Sequence, residues 1–294
     1  MKTHAPKIRP LDIIISLLIA GAAVYIIYRV TVNLHYKWNW SVIPQYLWRY
    51  DEQSNRWVAN LLMLGVFNTI RLSIWGTILA VLFGTVMGLF RVSQSLFLRM
   101  IARSYVELIR NMPPLVLIFI FYFFVSDQIM PTLRLQDLLS SRSAATQWLC
   151  ALLFAPPVYF PAFVSAVLSL ALFEGAYITE IVRAGIQSVE KGQWEASYAL
   201  GLSRWHRMRY IVLPQAVQRI LPPMAGQFIS LIKDSAIVSV ISIQELTFQG
   251  LELMAATYLT FEIWITISAL YLIMTLTCSL AVERLEIRMA KGKT

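Results

Sequence analysis

The sequence predicts an all-α membrane protein that crosses the bilayer six times and keeps both termini in the cytoplasm. Hydrophobic residues make up 58% of the 294-residue chain and charged residues only 14%, whereas soluble proteins have about 25% charged residues. The apolar residues are gathered in runs long enough to span a bilayer. Lys and Arg are concentrated in alternate loops, which fixes the orientation.

Each apolar run is interpreted as one spanning helix, because a span needs about 20 apolar residues. The first run, residues 13–32, is interrupted only by Arg29, whose long stem can snorkel to the interface. A weaker sixth run, residues 220–244, has Lys233 and Asp234 in its middle. The other four runs carry no charge and cover residues 72–90, 112–125, 143–173 and 263–282.

The run at residues 143–173 is too long for one straight span. Pro156, Pro157 and Pro161 are expected to divide it into an outer interfacial piece and a helix that begins near Val158. The outer segment of about residues 128–157 and the first helix are thus two features whose roles the sequence leaves open.

The distribution of basic residues predicts the orientation. With the N-terminus inside, 17 of the 25 Lys and Arg residues fall in cytoplasmic segments, as the positive-inside rule requires. The same distribution accounts for the net charge of +9 without nucleic acid as a partner. A cleaved signal peptide ending at Ala20-Gly21-Ala22 is the weaker alternative, because the apolar run continues past Ala22.

The first outer loop is rich in aromatic residues, whose amphipathic rings favour the headgroup level. We expect it to anchor the chain at the membrane interface, with an amphipathic helix as one form of that anchor, in preference to a ligand-stacking platform. The residues are Trp38, Trp40, Tyr46, Trp48, Tyr50 and Trp57.

The cytoplasmic loop of about residues 184–219 carries the most specific pattern in the chain. Helix-favouring residues at 194–200 precede Gly201, which can adopt the positive φ that ends a helix. A second, basic helix is expected to run to about Leu213 and to stop at Pro214. On physical grounds this helix-turn-helix suits either a docking knob or a structural elbow. The full pattern is Glu195-Ala196-Ser197, three residues, Gly201, nine residues, then Ile211-Val212-Leu213-Pro214.

This spacing resembles the EAA loop of ABC-importer permeases, the element that docks on the ATP-binding subunit, with Ser197 in place of the second alanine. Other segments resemble the polar amino-acid permeases of that class: residues 106–114, 174–186, 191–193, 213–216 and 228–235. The resemblance covers about residues 65–283.

The resemblance implies a five-helix importer-permease core at 65–283, preceded by an extra transmembrane helix (1–32) and a periplasmic aromatic-rich loop (33–64) and followed by a basic cytoplasmic tail (284–294). It implies a multi-pass permease subunit in the bacterial inner membrane that moves a polar amino acid into the cytoplasm. The partners it implies are nucleotide-binding ATPase subunits, a second permease protomer of the same or a related chain, and a periplasmic or lipid-anchored solute-binding protein.

By the same resemblance, the ATPase-coupling residues are Glu195, Ala196, Ser197, Gly201, Ile211, Leu213 and Pro214. Glu195 would pair with a basic group of the ATPase, or alternatively complement the helix dipole in the first turn.

Ionisable residues within spans point to a substrate path, because a charge in the membrane is costly and usually faces a cavity or a partner. Lys233 and Asp234 are the sharpest candidates, with a kink satisfied inside the bundle as the alternative. Helical spacing places Glu174 and Tyr177 on one face, and a bridge from Glu180 to Arg183 is the structural alternative for Glu180. The candidate path residues are Glu174, Tyr177, Glu180, Lys233, Asp234 and Ser235.

The sequence predicts no catalytic residue, no metal site and no nucleotide site on this chain. The terminal Gly292-Lys293-Thr294 mimics the end of a phosphate-binding loop, but Ile287 stands where its first glycine belongs. ATP and Mg²⁺ are therefore expected on the partner ATPase. A secondary transporter or channel for a small polar solute is the alternative function, and a membrane enzyme is the least favoured. The sequence does not identify the amino acid.

Overall fold

A computed structural model describes residues 10–33, 36–53, 55–133 and 143–291. The chain divides into two compact units, residues 1–40 and residues 41–294. In the first unit, helix α1 covers Pro10–Asn33. Its apolar side chains, among them Leu17, Leu18 and Val24, are exposed over more than half of their surface. Such exposure suits a helix whose solvent is lipid.

The second unit is almost entirely helical. Its short outer elements are α2 (Ile43–Leu47), β1 (Trp48–Asp51) and β2 (Arg56–Ala59). The helices that follow are α3 (Leu61–Arg91), α4 (Leu96–Arg110), α5 (Pro114–Phe124), α6 (Met130–Leu133), α7 (Ala144–Leu153), α8 (Phe160–Gln187), α9 (Lys191–Ala199), α10 (Arg204–Arg207), α11 (Leu213–Asp234), α12 (Leu246–Thr257) and α13 (Thr260–Lys291).

Four helical segments of the described chain are long and apolar enough to cross a membrane: Leu61–Arg91, Phe160–Gln187, Arg204–Ile241 and Thr260–Arg284. A fifth is formed if α4 and α5, which meet at an angle of 116°, count as one broken span. The all-α membrane fold is thus confirmed, while the number of six spans and the cytoplasmic termini stay predictions.

The predicted span at residues 112–125 differs in both of its limits. The helix begins at Pro114, because proline is preorganised for the first helical position and lacks the N–H that would be left unpaired there. It continues past Val125 through a π-helical turn, Val125–Ile129, into α6. The helical path therefore ends at Leu133, about 30 Å from its start, and includes residues that the sequence assigned to the outer segment.

The proline-rich break in the run at 143–173 is confirmed. Helix α7 ends at Leu153 and α8 begins at Phe160, two residues later than the expected start near Val158. The Trp75 indole N–H donates to the Leu153 carbonyl at 2.9 Å, and its ring stacks on Phe154. The outer piece is therefore fastened to α3.

The aromatic loop is helical at Trp40 and Tyr46 and forms a β-hairpin at Trp48, Tyr50 and Trp57, so the expectation of an amphipathic helix is wrong for the hairpin residues. Strands β1 and β2 pair antiparallel, with Trp48 opposite Ala59 and Tyr50 opposite Trp57. Aromatic residues fit the pleated surface of a strand, and Asn55 takes the positive φ of the turn. Trp48, Tyr50 and Trp57 are exposed, which agrees with an interfacial anchor.

Helices α3 and α8 pack through a row of small residues on α3. Buried positions recur every four residues, at Gly76, Ala80, Gly84 and Gly88, and so lie on one face. A Cβ at Gly84 would stand 2.8 Å from the Gly175 carbonyl oxygen, and one at Gly88 would stand 2.6 Å from a Val182 methyl group. Such close backbone approach drives helix association in lipid, where the hydrophobic effect between helices is absent.

A buried carboxylate holds α12 between α3 and α13. Glu245 caps α12 by accepting from the backbone N–H groups of Thr247 and Phe248 at 2.9 and 2.8 Å, and it also accepts from the Tyr271 hydroxyl at 2.7 Å. The Thr69 hydroxyl of α3 accepts from the Leu246 N–H at 3.2 Å. Burial raises the pKa of Glu245 to about 7.

We expect Gly84→Ala to lower the free energy of unfolding by about 1–3 kcal/mol, because the new methyl group would meet backbone that cannot move aside. Gly226→Ala on α11 is the matched control, since nothing lies within 4 Å of its added Cβ. Thermal unfolding of the purified variants in detergent measures the difference. Equal stability of the two variants would contradict the close-packing account.

Candidate functional site

The loop of residues 184–219, which the sequence assigns to the cytoplasm, folds as the predicted helix-turn-helix. Gly201 takes a φ of +69°, and the chain ends α9 with two hydrogen bonds, from the Leu202 N–H to the Ser197 carbonyl at 3.2 Å and from the Gly201 N–H to the Tyr198 carbonyl at 2.9 Å. This pair of bonds is the Schellman motif, which requires a left-handed residue after the helix. Glycine takes that conformation without a steric penalty.

The loop presents an apolar surface that the described part of the chain leaves uncovered. Leu200, Trp205 and Tyr210 are 75%, 70% and 68% exposed. Glu195 and Ala196 are also exposed on α9. Large apolar groups gathered on a short helical projection are typical of a protein contact surface. We name this projection, residues 191–210, the coupling knob.

Two contacts inside the knob make it rigid. The Arg207 guanidinium lies 3.6 Å from the centre of the Tyr198 ring, a cation–π contact between α10 and α9. Ser197 is fully buried, and its hydroxyl donates to the Trp194 carbonyl at 2.6 Å. The small residue at this position is therefore needed by the packing of the chain itself.

Glu195 is not in the first turn, because α9 begins at Lys191 rather than at Trp194 and has no acidic residue in that turn. The helix-dipole explanation for Glu195 is therefore wrong. Its carboxylate lies on the exposed face of the knob.

Pro214 does not end the second helix of the knob, contrary to expectation. A π-helical turn, Met208–Val212, precedes it, and the Leu213 N–H donates to the Met208 carbonyl five residues back. A widened turn removes the clash between a proline ring and the carbonyl four residues earlier. The helix therefore passes through Leu213 and Pro214 into α11 and continues to Asp234. Ile211 is half-buried within the π turn.

Within the membrane core, the structure brings Glu174 and Asp234 together. Glu174 is fully buried on α8, and the Gln227 side chain of α11 donates to one of its carboxylate oxygens. Its other oxygen is buried without a hydrogen-bond partner in the described residues. The Asp234 carboxyl is close enough to interact with Glu174. Neither carboxyl forms a salt bridge within the described chain, and the charge of the adjacent Lys233 acts on Asp234 from beyond 4 Å. We name Glu174 and Asp234 the acidic pair.

A cavity of 560 Å³ is lined in part by Gln227, the residue that donates to Glu174 of the acidic pair. It is lined by Arg110, Tyr177, Glu180, Arg183, Arg219 and Gln227 among others. Tyr177 lies on this wall under the Arg110 guanidinium, at 5.5 Å. Glu180 accepts from Arg91 at 3.0 Å and from Arg183 at 2.6 Å. The alternative of a structural bridge from Glu180 to Arg183 is thus observed, and a second arginine joins it.

The remaining two predicted path residues are placed differently. Lys233 is exposed and does not pair with Glu174 or Asp234 within 4 Å. Ser235 is fully buried, and its hydroxyl donates to the Ile232 carbonyl at 2.8 Å. The Ser235 hydroxyl is therefore used in a hydrogen bond to the backbone of its own helical turn.

Sequence reasoning missed Gln227 and Tyr105. Gln227 stands seven residues before Asp234 and so on nearly the same helix face, a signal that a search for polar residues in the sixth run could have used. Tyr105 donates to the Leu172 carbonyl at 2.5 Å and lies 3.0 Å from the position of a Cβ on Gly175. No local pattern links α4 to α8.

Among the described residues, no three His, Cys, Asp or Glu side chains lie close enough together to hold a metal ion. His206 is exposed, stacks on Tyr210 and shares a hydrogen bond of 2.7 Å with the Ser203 hydroxyl. His206 is therefore an exposed residue of the knob, and its contacts there are to Ser203 and Tyr210.

Residues 80–291 match the family described as "Binding-protein-dependent transport system inner membrane component". The glutamine transport system permease protein GlnP of Escherichia coli K12 is 46% identical over 127 residues, which cover 43% of this chain and 58% of that protein. The match thus spans little more than half of this relative. The "Probable glutamine ABC transporter permease protein GlnM" of Bacillus subtilis 168 is 30% identical over 79% of this chain and 95% of its own length.

A solved structure described as an amino acid ABC transporter with histidines aligns with a TM-score of 0.65 and 31% identity, over 86% of this chain and all of that one. These similarities confirm the resemblance that the coupling-loop spacing indicated, and with it a multi-pass protein of the bacterial inner membrane. The chain therefore belongs to the family of inner membrane components of binding-protein-dependent transport systems.

Proposed function

We propose that this chain is the permease subunit of an ATP-binding-cassette importer, which moves a polar amino acid into the cytoplasm using ATP hydrolysis on partner subunits. The observation that carries the proposal is the coupling knob. It exposes apolar side chains to the exterior of the chain and continues without a break into the helix that ends at the acidic pair. A docking surface is thereby joined to a polar site within the membrane.

The proposal includes the arrangement of the assembly. Six spans with both termini inside place the knob on the cytoplasmic side, where ATPase subunits would dock. A second permease protomer, of the same or a related chain, would complete the path, and a periplasmic or lipid-anchored binding protein would deliver the solute. ATP and Mg²⁺ would bind to the ATPase subunits. The relatives named for glutamine transport support an amino acid as substrate.

The acidic pair supports a substrate that carries a positive group. A fully buried and a half-buried carboxyl group without a salt bridge are costly in a membrane, and an ammonium group placed between them would offset that cost. The α-ammonium of an amino acid supplies such a charge. Tyr177 and Gln227 would line the way from this site to the cytoplasm, while Glu180, held by two arginines, would shape the wall.

The defining experiment is uptake by proteoliposomes that contain the permease, its ATPase subunits and its binding protein. The labelled probes are L-glutamine, L-histidine, L-arginine and L-glutamate. We expect uptake of at least one probe with ATP inside and none with an ion gradient alone. Uptake that follows an ion gradient without the ATPase would refute the proposal and favour a secondary transporter.

We predict that Gly201→Ala lowers ATP-driven uptake by about 5- to 30-fold, because an alanine at positive φ costs about 1–2 kcal/mol and deforms the knob. Gly192→Ala is the control, since Gly192 lies on the same knob, in α9, with nothing within 4 Å of an added Cβ. Co-purification of the ATPase with each variant shows whether docking is lost. Normal uptake by Gly201→Ala would contradict the role given to the knob.

We predict that Glu174→Gln raises the KM for uptake by about 10- to 100-fold, because a charge-assisted contact with the ammonium is lost. Asp234→Asn should act in the same direction. Glu107→Gln is the control, since Glu107 is exposed and its ion pair with Arg103 spans 3.8 Å. If both variants kept the wild-type KM, the acidic pair would not be the ammonium site.

A further inference from the structure

A second cavity, of 430 Å³, lies toward the other end of α3 from the knob. Its walls come from α3, from α12 and from the connection between α7 and α8, and they include Leu64, Asn68, Arg71, Pro156, Gln249 and Glu252. Cavities of this size hold small organic ligands. We name it the outer cavity.

The outer cavity is separate from the acidic pair. Arg71 precedes Ala80 by nine residues on α3, and the Ala80 carbonyl lies beside Gly175, the neighbour of Glu174. At 1.5 Å per residue, the two levels differ by about 14 Å along the helix. The 560 Å³ cavity shares no lining residue with the outer cavity.

The outer cavity carries one charge of each sign, and the two are not joined. The Arg71 guanidinium donates to the Asn68 side-chain oxygen at 3.1 Å, and it forms no salt bridge within the described chain. Glu252 lines the same cavity and likewise has no cationic partner within 4 Å there. A half-buried arginine with no carboxylate partner in the chain is available to an anionic group from outside.

A buried amide adds a third polar group. Gln249 is only 4% exposed, and its side-chain oxygen has no hydrogen-bond partner in the described part of the chain. An unpaired buried acceptor costs about 1–3 kcal/mol, so a donor supplied by a ligand would be stabilising. Gln249 lies one turn before Glu252 on α12, so both belong to one helix face.

The walls of the cavity are held in place by contacts that do not involve its charges. The Asn68 amide donates to the Gln244 carbonyl at 2.7 Å, and the Glu245 cap fixes the start of α12. The Trp75 contact to the Leu153 carbonyl holds the outer segment. The site is therefore preorganised, which lowers the entropy cost of binding a ligand.

We propose that the outer cavity binds an α-amino acid as its zwitterion, with the carboxylate on Arg71 and the ammonium on the side of Glu252 and Gln249. Arg presents paired N–H donors that match a carboxylate, and a separated pair of opposite charges matches a ligand that carries both. Under the proposed function, on which the identity of the ligand rests, this is the site a solute occupies before it reaches the acidic pair. The outer segment then serves as a wall of this site.

The test is protection of a cysteine at the rim of the cavity. Leu64 is 45% exposed there, so Leu64→Cys is made with Cys150→Ser and Cys278→Ser in the permease–ATPase complex in proteoliposomes. A membrane-impermeant thiol reagent then reports occupancy from the outer side. The four amino acids of the uptake panel are the probes. At about ten times Kd, the amino acid that is imported should slow the modification about tenfold.

Arg71→Gln and Glu252→Gln should each raise the concentration for half-protection by about 10- to 100-fold. The methyl ester of the same amino acid lacks the carboxylate, so its weak protection should not change further in Arg71→Gln. The double exchange Arg71→Glu with Glu252→Arg should restore part of the protection, because the zwitterion can bind in the reverse direction. Arg49→Gln, on the hairpin, and protection measured at Glu52→Cys are the controls, and neither should show an effect.

The outcomes separate this inference from the proposed function. ATP-driven uptake without protection, or protection that is equal in the wild type and both charge variants, would overturn the outer site and leave the importer function standing. Protection that depends on Arg71 and Glu252, without ATP-driven uptake of any probe, would support the site and refute the importer.

Discussion

The close approach of α3 and α8 is the constraint on which the other features of the second unit depend. In lipid, apolar side chains gain nothing by leaving one apolar environment for another, so helices associate where their backbones can come near. The row from Gly76 to Gly88 allows this approach. Because α8 is held along this row, Glu174 is turned into the bundle, where it is fully buried. A larger residue in the row would move the acidic pair along with the helix.

Charge is distributed differently at the two levels of this packed unit. Near the knob end, Glu180 lies between Arg91 and Arg183 with short contacts to both, so its charge is satisfied and its role in the described chain is structural. Farther from that end, Glu174 and Asp234 have no such partner, and Arg71 and Glu252 remain apart. A buried charge that lacks a partner is costly to keep. Glu174 carries this cost fully buried, and Asp234 and Arg71 carry it half-buried, whereas Glu252 is exposed where it lines the outer cavity.

The sequence was sufficient wherever local chemistry determines structure. Gly201 ends α9 and the prolines near 156 separate α7 from α8, because each acts through its own backbone restriction. The hairpin was missed because aromatic residues suit an interfacial helix as well as a strand. The prediction that Pro214 ends a helix was wrong because a π turn widens the helix before it, and no residue type predicts a π turn.

The candidate site could be predicted only in part from the sequence. Glu174 and Asp234 could be selected one by one from the cost of charge in a span, but their pairing joins residues 60 positions apart. Gln227 bonds to Glu174 across 53 positions, and Arg91 to Glu180 across 89. Contacts between residues so far apart in the sequence depend on how the helices pack against one another. The spacing of residues along one helix does not reveal this packing. The outer cavity is a further case, since its Arg71 and Glu252 are 181 positions apart and no local pattern links them.

The uninterrupted path from the knob to Asp234 explains how a distant docking surface can act on the membrane site. From Arg204 to Asp234 the chain is helical throughout, about 45 Å at 1.5 Å per residue. Pro222 and Pro223 lie inside this helix and each lacks the backbone N–H of a regular helical bond, yet the chain stays helical through them. Displacement of the knob is therefore expected to move Gln227 and Asp234 relative to Glu174 on α8. The Arg207–Tyr198 contact and the Schellman turn join α9 to the same long helix. Rigid-body movement of packed helices is a known means of switching between two states, and here the two carboxyls that would bind the ammonium group belong to different helices. Under the proposed function, separating the two carboxyls would weaken the site, and the helix that carries the docking surface would be the same helix that releases the ligand.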